Sequence, residues 1–326
     1  MAKFSAPQAN CPLVLVEPSA GECLSQLDRE SVIAQFKAHG ALLLRGFGAD
    51  LDQFHAFAKQ FSSTAVVNES PGRTPLDPVK SLYTVDGGTD AFSLHPELSR
   101  EPWKPDLAMF ACLSAPGQGG LTTVCDGIAL ADALPEAVRR GLEGRRLIYM
   151  KGVWPDLLRF WLGTAEPNDA LLRDPPPRCP YKFLRLNNGQ IARYFSRPAL
   201  HKPMFADGPA FGNFLLFARF NNGRGDYPLL DDMRPVPESW LQTIKATGDR
   251  LSYAVEWQQG DVVMLDNTRF LHGRTAIADP VERQIVTYFG YLDFAVPDAE
   301  EPANAIWRQA DFDPPHPPLE MVRRRV

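Results

Sequence analysis

Cysteine is scarce in this sequence of 326 residues, and it forms none of the patterns that cross-link a small domain. The cysteines are odd in number and include no Cys-x-x-Cys pair, which argues against a disulfide framework and a zinc knuckle. They are Cys11, Cys23, Cys112, Cys125 and Cys179. A chain of this length buries enough apolar surface to do without such cross-links. We therefore expect reduced thiols and a cytoplasmic protein.

Long apolar segments and an excess of basic residues are also missing. The most apolar short stretch, 107–113, is far shorter than the roughly 20 residues that cross a bilayer. Residues 1–10 lack the apolar centre of a signal peptide. The formal net charge is −5, which suits neither nucleic acid nor an anionic membrane, and we interpret Arg323–Arg325 as a solvated tail. We expect neither kind of partner, and the sequence leaves the oligomeric state open, a homo-oligomer included.

The order of predicted elements favours a mainly β protein with flanking helices, in a single domain over residues 1–326. In the first part, the apolar spacing predicts a helix over 30–39 ended by Gly40, a buried strand over 41–44 and a helix over 51–61. Further short apolar runs, separated by Gly, Pro, Asn and Asp, predict strands at 107–113, 121–124, 214–217, 262–265 and 285–292. No GxGxxG or Walker motif indicates a nucleotide-binding βαβ sheet. A sandwich or barrel is the better prediction.

A long insert, residues 151–211, interrupts the predicted strands and is rich in proline and aromatic residues. Loops of this length in a compact domain are usually functional or disordered. We interpret this one as a packed lid over a pocket, in which His201 could meet a substrate. The alternative is a structural excursion that covers one face of a sheet.

Two histidines and one carboxylate stand in suggestive positions. In extended backbone, His95 and Glu97 point to the same face, because they are two residues apart. His272 follows the predicted strand over 262–265. Such a set can occupy one face of an Fe(II) octahedron and leave three positions open. Zinc accepts the same ligands, so a zinc hydrolase is the alternative of a different class.

A candidate anion site follows in the sequence. Arg283 opens the last predicted strand, where its guanidinium could grip one carboxylate of a dicarboxylic co-substrate. The Thr122 hydroxyl could donate to the same carboxylate, although a shift of one residue would present Thr123 instead. Arg269 and Arg274 are competing arginines, for which we favour a structural or substrate-facing position.

Together these segments resemble the Fe(II)- and 2-oxoglutarate-dependent oxygenases of the taurine dioxygenase (TauD/TfdA-like) superfamily. The resemblance is carried by the ALLLRGF run, the His-Pro-Glu stretch, residues 115–120 and the run 261–275 with Arg283. It implies a double-stranded β-helix (jelly-roll) and a reaction with O₂. It also implies that His95, Glu97 and His272 bind iron, and that Arg283 and Thr122 bind the C5 carboxylate of 2-oxoglutarate.

Three departures from the common family pattern refine the expectation. Glu97 replaces the more usual Asp, a form that resembles clavaminate synthase and amino-acid hydroxylases. Pro96 replaces a small polar residue and removes a backbone donor beside the metal. Thr287 stands where taurine-type enzymes carry a second arginine, which argues against a sulfonate substrate. The presence of the carboxylate also disfavours a halogenase.

The resemblance implies oxidation, by default hydroxylation, of an unactivated C–H bond, with release of succinate and CO₂. The expected substrate is a small polar metabolite, such as a free amino acid, an amino acyl unit on a carrier protein or another natural-product intermediate. Desaturation, epoxidation and ring formation stay open, because they depend on substrate pose. Arg73 is a candidate to hold a substrate carboxylate, and the alternative is a solvent-exposed turn arginine.

Overall fold

The computed structural model describes residues 1–68, 70, 72–278 and 283–318, and Arg323–Arg325 lie outside this set. The strands in the described residues are β1 (Lys3–Ser5), β2 (Val14–Glu17), β3 (Ala41–Leu44), β4 (Thr64–Ala65), β5 (Pro75–Asp77), β6 (Leu82–Thr84), β7 (Phe92–His95), β8 (Leu107–Ser114), β9 (Thr122–Asp126), β10 (Arg146–Gly152), β11 (Lys182–Arg185), β12 (Ile191–Pro198), β13 (Leu229–Leu230), β14 (Tyr253–Val255), β15 (Val262–Asp266), β16 (Phe270–Arg274) and β17 (Gln284–Tyr291). The α-helices are α1 (Arg29–His39), α2 (Leu51–Lys59), α3 (Gly127–Ala133), α4 (Glu136–Leu142), α5 (Pro155–Leu162), α6 (Asp169–Arg173), α7 (Leu215–Phe220) and α8 (Glu238–Leu251). Short 3₁₀ helices lie at Leu24–Gln26 and Ile306–Arg308.

Two sheets packed face to face form the core. The larger sheet has the order β1-β2-β3-β15-β8-β17-β6-β5, with β4 on β17, and the smaller sheet has the order β14-β9-β16-β7. Their inner faces share one apolar cluster, to which Phe110 and Val263 contribute from the larger sheet and Val124 and Phe270 from the smaller. Alternate residues of each strand therefore meet across the sandwich. This is the predicted jelly-roll with flanking helices.

Helices cover the outer face of the larger sheet. The Asp28 carboxylate caps α1 by accepting a hydrogen bond from the Ser31 amide, and Gly40 ends the helix with φ +78°. Val32, Ile33 and Phe36 are buried on the side of α1 that packs into the cluster beneath β3. The three elements predicted here are confirmed, and α2 ends slightly earlier than predicted.

Four of the five strands predicted after residue 100 are confirmed as β8, β9, β15 and β17. The prediction of a strand at 214–217 is wrong, because this segment begins the helix α7. Its residues are buried on several sides, between β7 and α8, so that neither a period of two nor a period of 3.6 shows in so short an apolar run. Asn213 starts the turn into the helix, where its side-chain oxygen accepts from the Leu215 amide.

The insert has a fold of its own. Strands β11 and β12 join β10 and β13 in a third sheet, in the order β11-β12-β10-β13. In the sequence, α5 and α6 lie between β10 and β11. Tyr149 and Trp161 from this region share a large apolar cluster with Leu271 of the smaller sheet. His201 packs within the fold, with Nε2 2.7 Å from the carbonyl oxygen of Thr268. Among the described helices, none has the length and apolar character to cross a membrane.

Gly40 offers a test of how tightly the helix layer is fitted to the strand that carries His272. A Cβ at this position would lie 2.8 Å from Cε2 of Phe270, the first residue of β16. We expect Gly40→Ala to cost about 1–2 kcal/mol for the left-handed backbone and about 1–3 kcal/mol more for overpacking. Urea unfolding measures the loss in free energy of unfolding.

Gly144→Ala is the matched control, because Gly144 has φ +66° and its added Cβ would meet no atom within 4 Å. Only the backbone cost applies there. Equal losses in the two variants would contradict the close fit at Phe270.

Candidate active site

Strand pairing brings the two candidate histidines together. His95 is the last residue of β7, and His272 lies directly opposite it on β16. Their ring centroids are 4.6 Å apart. Glu97 follows β7, and one potential ligand atom from each of the three residues lies within 4.8 Å of the other two. The three predicted residues therefore form a compact cluster of two imidazoles and a carboxylate, although Glu97 lies in the turn after β7 and not in extended backbone as predicted.

The hydrogen bond of His95 determines which ring nitrogen can act as a ligand. Its Nδ1 lies 2.8 Å from the carbonyl oxygen of Ser93, and a carbonyl can only accept, so Nδ1 carries the proton. The lone pair of Nε2 is then available to a metal. Burial, aided by His272, lowers the pKa of His95 to about 3, so the ring is neutral at pH 7. Within the described chain, the buried Nδ1 of His272 has no hydrogen-bond partner.

The carboxylate of Glu97 is almost completely buried, with 1% of the residue exposed. Oε1 accepts a hydrogen bond from Nδ2 of Asn68, and Oε2 lies 3.1 Å from Nη2 of Arg73 and 3.7 Å from Nε2 of His272. Burial alone would raise the pKa of Glu97, but the Arg73 guanidinium and the two histidines outweigh it and lower the pKa. The group is therefore an anion, as a divalent metal requires.

The backbone of Glu97 is held by Asn267, from the turn between β15 and β16. Oδ1 of Asn267 accepts from the Glu97 amide at 2.7 Å, and Nδ2 donates to the carbonyl oxygens of Glu97 and Pro105. Asn267 is 1% exposed. One amide group therefore fixes the Glu97 segment to the turn that precedes His272.

Arg283 and Thr122 meet at another part of the same cavity. Nε of Arg283 donates to the carbonyl oxygen of Gly120 at 2.6 Å, and Nη2 lies 3.5 Å from Oγ1 of Thr122. The Thr122 oxygen also accepts from Nε1 of Trp257. Burial, with a contribution from Arg274, lowers the pKa of Arg283 to about 10, which leaves it charged at pH 7. A buried cation lined up with a hydroxyl is suited to bind a carboxylate.

One cavity connects the histidines to this cation. The residues that line it are Arg73, Val85, Asp86, Phe92, His95, Phe110, Thr122, His272, Gly273, Arg274 and Arg283. Thr122 lines it rather than Thr123, and residues 151–211 contribute nothing to this wall. The lid therefore stays a prediction.

The other candidate arginines have different positions. The side chain of Arg73 is 5% exposed, unlike that of a solvent-exposed turn arginine, and it contacts Glu97 and Oγ1 of Thr287, with Nε 3.5 Å from Asp86. Arg274 lines the cavity, but its guanidinium donates hydrogen bonds to backbone carbonyl oxygens of the 86–90 loop. Arg269 forms an ion pair with Asp126.

Sequence reasoning missed three residues of this site: Asn68, Asp86 and Asn267. Asn267 lies inside the run 261–275 that carried the family resemblance, and this position could have marked it as a candidate site residue. Asn68 and Asp86 lie on loops where no periodic pattern marks them.

Comparison with known proteins gives matches over most of the chain. The family model described as "Taurine catabolism dioxygenase TauD, TfdA family" matches residues 16–288. An alpha-ketoglutarate-dependent 2,4-dichlorophenoxyacetate dioxygenase of Burkholderia sp. (strain RASC) is 27% identical over 267 residues, which are 76% of this chain and 80% of that protein.

Two solved structures illustrate the similarity of fold. A taurine dioxygenase from Burkholderia xenovorans superposes with a TM-score of 0.58 at 14% identity, over 95% of this chain and 99% of that one. The PvcB protein from Pseudomonas aeruginosa gives 0.56 at 16% identity, over 89% and 91%. At sequence identities this low, the superpositions show similarity of fold and nothing about function.

Asn267 provides a test of how the cluster is supported. In Asn267→Ala, the buried amide of Glu97 and two carbonyls lose their partners. Because each unpaired buried group costs about 1–3 kcal/mol, we expect the free energy of unfolding to fall by at least about 2 kcal/mol. Chemical denaturation measures it. The control is Asn222→Ala at an exposed position, which should stay within about 0.5 kcal/mol of the unsubstituted protein; similar values for the two variants would refute the support role.

Proposed function

Because the chain belongs to the TauD/TfdA family of 2-oxoglutarate-dependent dioxygenases, we propose that His95, Glu97 and His272 hold its Fe(II) and that Arg283 and Thr122 hold its 2-oxoglutarate. The enzyme uses Fe(II), 2-oxoglutarate and O₂, as the family does. Family membership sets aside the zinc hydrolase that the ligand set alone would allow.

The observation that carries the iron assignment is the convergence of three ligand atoms, among them a neutral His95 ring and an ionised Glu97 carboxylate. Neutral imidazoles and an ionised carboxylate are the donors that ferrous iron binds in a facial triad. The proton on Nδ1 of His95 leaves Nε2 as its donor atom. The residues therefore fit the metal, and when bound with its co-substrate it supplies the oxidant for C–H cleavage, with succinate and CO₂ as products.

The co-substrate assignment rests on the environment of Arg283. Its hydrogen bonds to described residues go to neutral oxygen atoms, so its charge is available to an anion. A guanidinium with a hydroxyl beside it can grip the distal carboxylate of 2-oxoglutarate. This anchor would fix the orientation of the co-substrate toward the histidines on the same cavity wall.

For the prime substrate we propose an amino acid, free or tethered to a carrier protein, that is hydroxylated at an unactivated carbon. The support is the pair Arg73 and Asp86, which line the cavity together with His95 and His272. Arg73 retains N–H groups beyond those bonded to Glu97 and Thr287, and its buried Nε has no hydrogen-bond partner in the described chain. A zwitterion would place its carboxylate on Arg73 and its ammonium group on Asp86.

Two further features complete the proposal. The departure of Glu97 from the common Asp agrees with the amino-acid hydroxylases that the sequence resembles, while desaturation and ring formation would need only a different substrate pose. We also propose a cytoplasmic location, since all five cysteines are free thiols.

Arg283→Ala tests the co-substrate anchor. Anaerobic titration of the Fe(II)-loaded protein with 2-oxoglutarate should develop a weak visible charge-transfer band. Loss of a buried charged partner costs about 2–5 kcal/mol, so the Kd should rise about 30-fold or more. Arg269→Ala is the control, because its ion pair with Asp126 lies off the cavity wall, and it should titrate like the unsubstituted protein. Failure of the unsubstituted protein to show the band would refute the iron assignment, and an unchanged Kd in Arg283→Ala would refute the anchor.

Asp86→Asn tests the substrate class, since it keeps an acceptor for the Ser70 hydroxyl but removes the charge. Amino acids should stimulate succinate formation in the unsubstituted enzyme, and the variant should show a KM for them raised about tenfold, the effect of roughly 1.4 kcal/mol. The Kd for 2-oxoglutarate should not change. Stimulation by carboxylates without an amino group, at equal KM in both proteins, would refute the zwitterion proposal.

A further inference from the structure

We propose that Asn68 is a positioning residue that holds Oε1 of Glu97, so that this carboxylate gives iron a single oxygen atom, Oε2. The inference rests on the iron site proposed above and goes beyond it. It assigns a role to a residue on the loop after β4, which contributes neither a metal ligand nor part of the cavity wall.

The two oxygen atoms of Glu97 face different partners. Oε2 lies 3.7 Å from Nε2 of His272, which places it on the side of the histidine cluster. Oε1 accepts a hydrogen bond from Nδ2 of Asn68. The asymmetry is built into the surroundings of the carboxylate, because an amide donor bonds to Oε1 and the His272 imidazole lies beside Oε2.

The orientation of the Asn68 amide is itself determined. The backbone N–H of Ser70 donates to Oδ1 of Asn68 at 3.2 Å, which identifies that atom as the oxygen. Nδ2 must then be the atom that faces Glu97. Asn68 is 7% exposed, so water competes little for either end of its side chain.

Arg73 also contacts Glu97 but has a different effect. Its Nη2 bonds to Oε2, and its Nη1 bonds to Thr287. The guanidinium balances the buried negative charge without restraining Oε1. Among the described residues, Asn68 is therefore the hydrogen-bond donor to Oε1.

The number of carboxylate oxygens on the metal matters for this chemistry. Two imidazoles and one oxygen leave three positions of an octahedron, two for the chelating co-substrate and one for O₂. A glutamate that turned both oxygens to the metal would take the third position. Glutamate has one more rotatable bond than aspartate, so a restraint on its second oxygen is more necessary here.

Asn68→Ala removes the restraint, and Mn(II) serves as a probe of the site. Replacing an outer partner of a metal ligand typically costs 10–100-fold in affinity, and we expect the Kd for Mn(II) to rise by about that factor. Water-proton relaxation counts the exchangeable waters on the bound ion. With no co-substrate, the unsubstituted protein should hold about three waters and the variant about two. If Asn68 had a purely structural role, its replacement would leave the number of waters on the bound ion unchanged.

Two further variants keep the test decisive. Asn68→Asp has the same shape and keeps an acceptor for Ser70, but it cannot donate to Oε1 when ionised. We expect the same loss of Mn(II) affinity and of one bound water in this variant, which therefore replaces the alanine variant if that one folds poorly. Asn213→Ala is the control, since Asn213 is also buried, at 2% exposed, and among the described residues its side chain bonds to the backbone of Ala199 and Leu215. It should lower the free energy of unfolding but leave the affinity and hydration of Mn(II) unchanged.

The outcomes separate the two levels of inference. If the unsubstituted protein binds Mn(II) through His272, as shown by loss of binding in His272→Ala, and both Asn68 variants keep its Kd and hydration, the role of Asn68 is refuted alone. If His272→Ala binds Mn(II) as tightly as the unsubstituted protein, the iron site is refuted and the role of Asn68 with it.

Discussion

The burial of one carboxylate, that of Glu97, is the constraint on which the site depends. An isolated charge in the protein interior is costly unless it is paired and hydrogen-bonded. Here the compensation comes from distant parts of the chain: Asn68 and Arg73 from the loops before β5, and Asn267 and His272 from the segment that includes β16. The carboxylate therefore links the N-terminal loops to the strands of the smaller sheet.

Two buried arginines divide the cavity electrostatically. Arg73 is balanced by Glu97 and Asp86, whereas the hydrogen bonds of Arg283 to described residues go to neutral oxygen atoms. In the proposed function, Arg283 would attract the dianionic co-substrate, and the Arg73–Asp86 end would receive a molecule with charges of both signs. Arg73 also bonds to Thr287, the residue at which the family resemblance placed a second arginine in taurine-type enzymes.

The sequence was sufficient to predict what depends on local spacing. The Gly40 helix end and most strands follow from short-range geometry, and the assignment of Arg283 and Thr122 needed the family resemblance as well. His95 and Glu97 do meet, but Glu97 lies in the turn after β7 and not in the extended backbone that the prediction assumed. The contact of Asn68 with Glu97 could not be predicted, because the two residues are 29 positions apart in the sequence and a tertiary contact leaves no periodic signal. The prediction of a strand at 214–217 was wrong for a related reason, since burial on several sides removes the hydrophobic periodicity that distinguishes a helix from a strand.

The insert contacts the segment that follows Glu97. The Glu101 carboxylate contacts Lys151 of β10 and lies 3.9 Å from Nη1 of Arg193 on β12, two residues that are paired across these strands. Arg197, also on β12, donates to the carbonyl oxygens of Glu101 and Pro102. Buried contacts of this kind restrict movement of the backbone that carries them. The third sheet therefore supports the segment that follows Glu97, although residues 151–211 contribute nothing to the cavity wall.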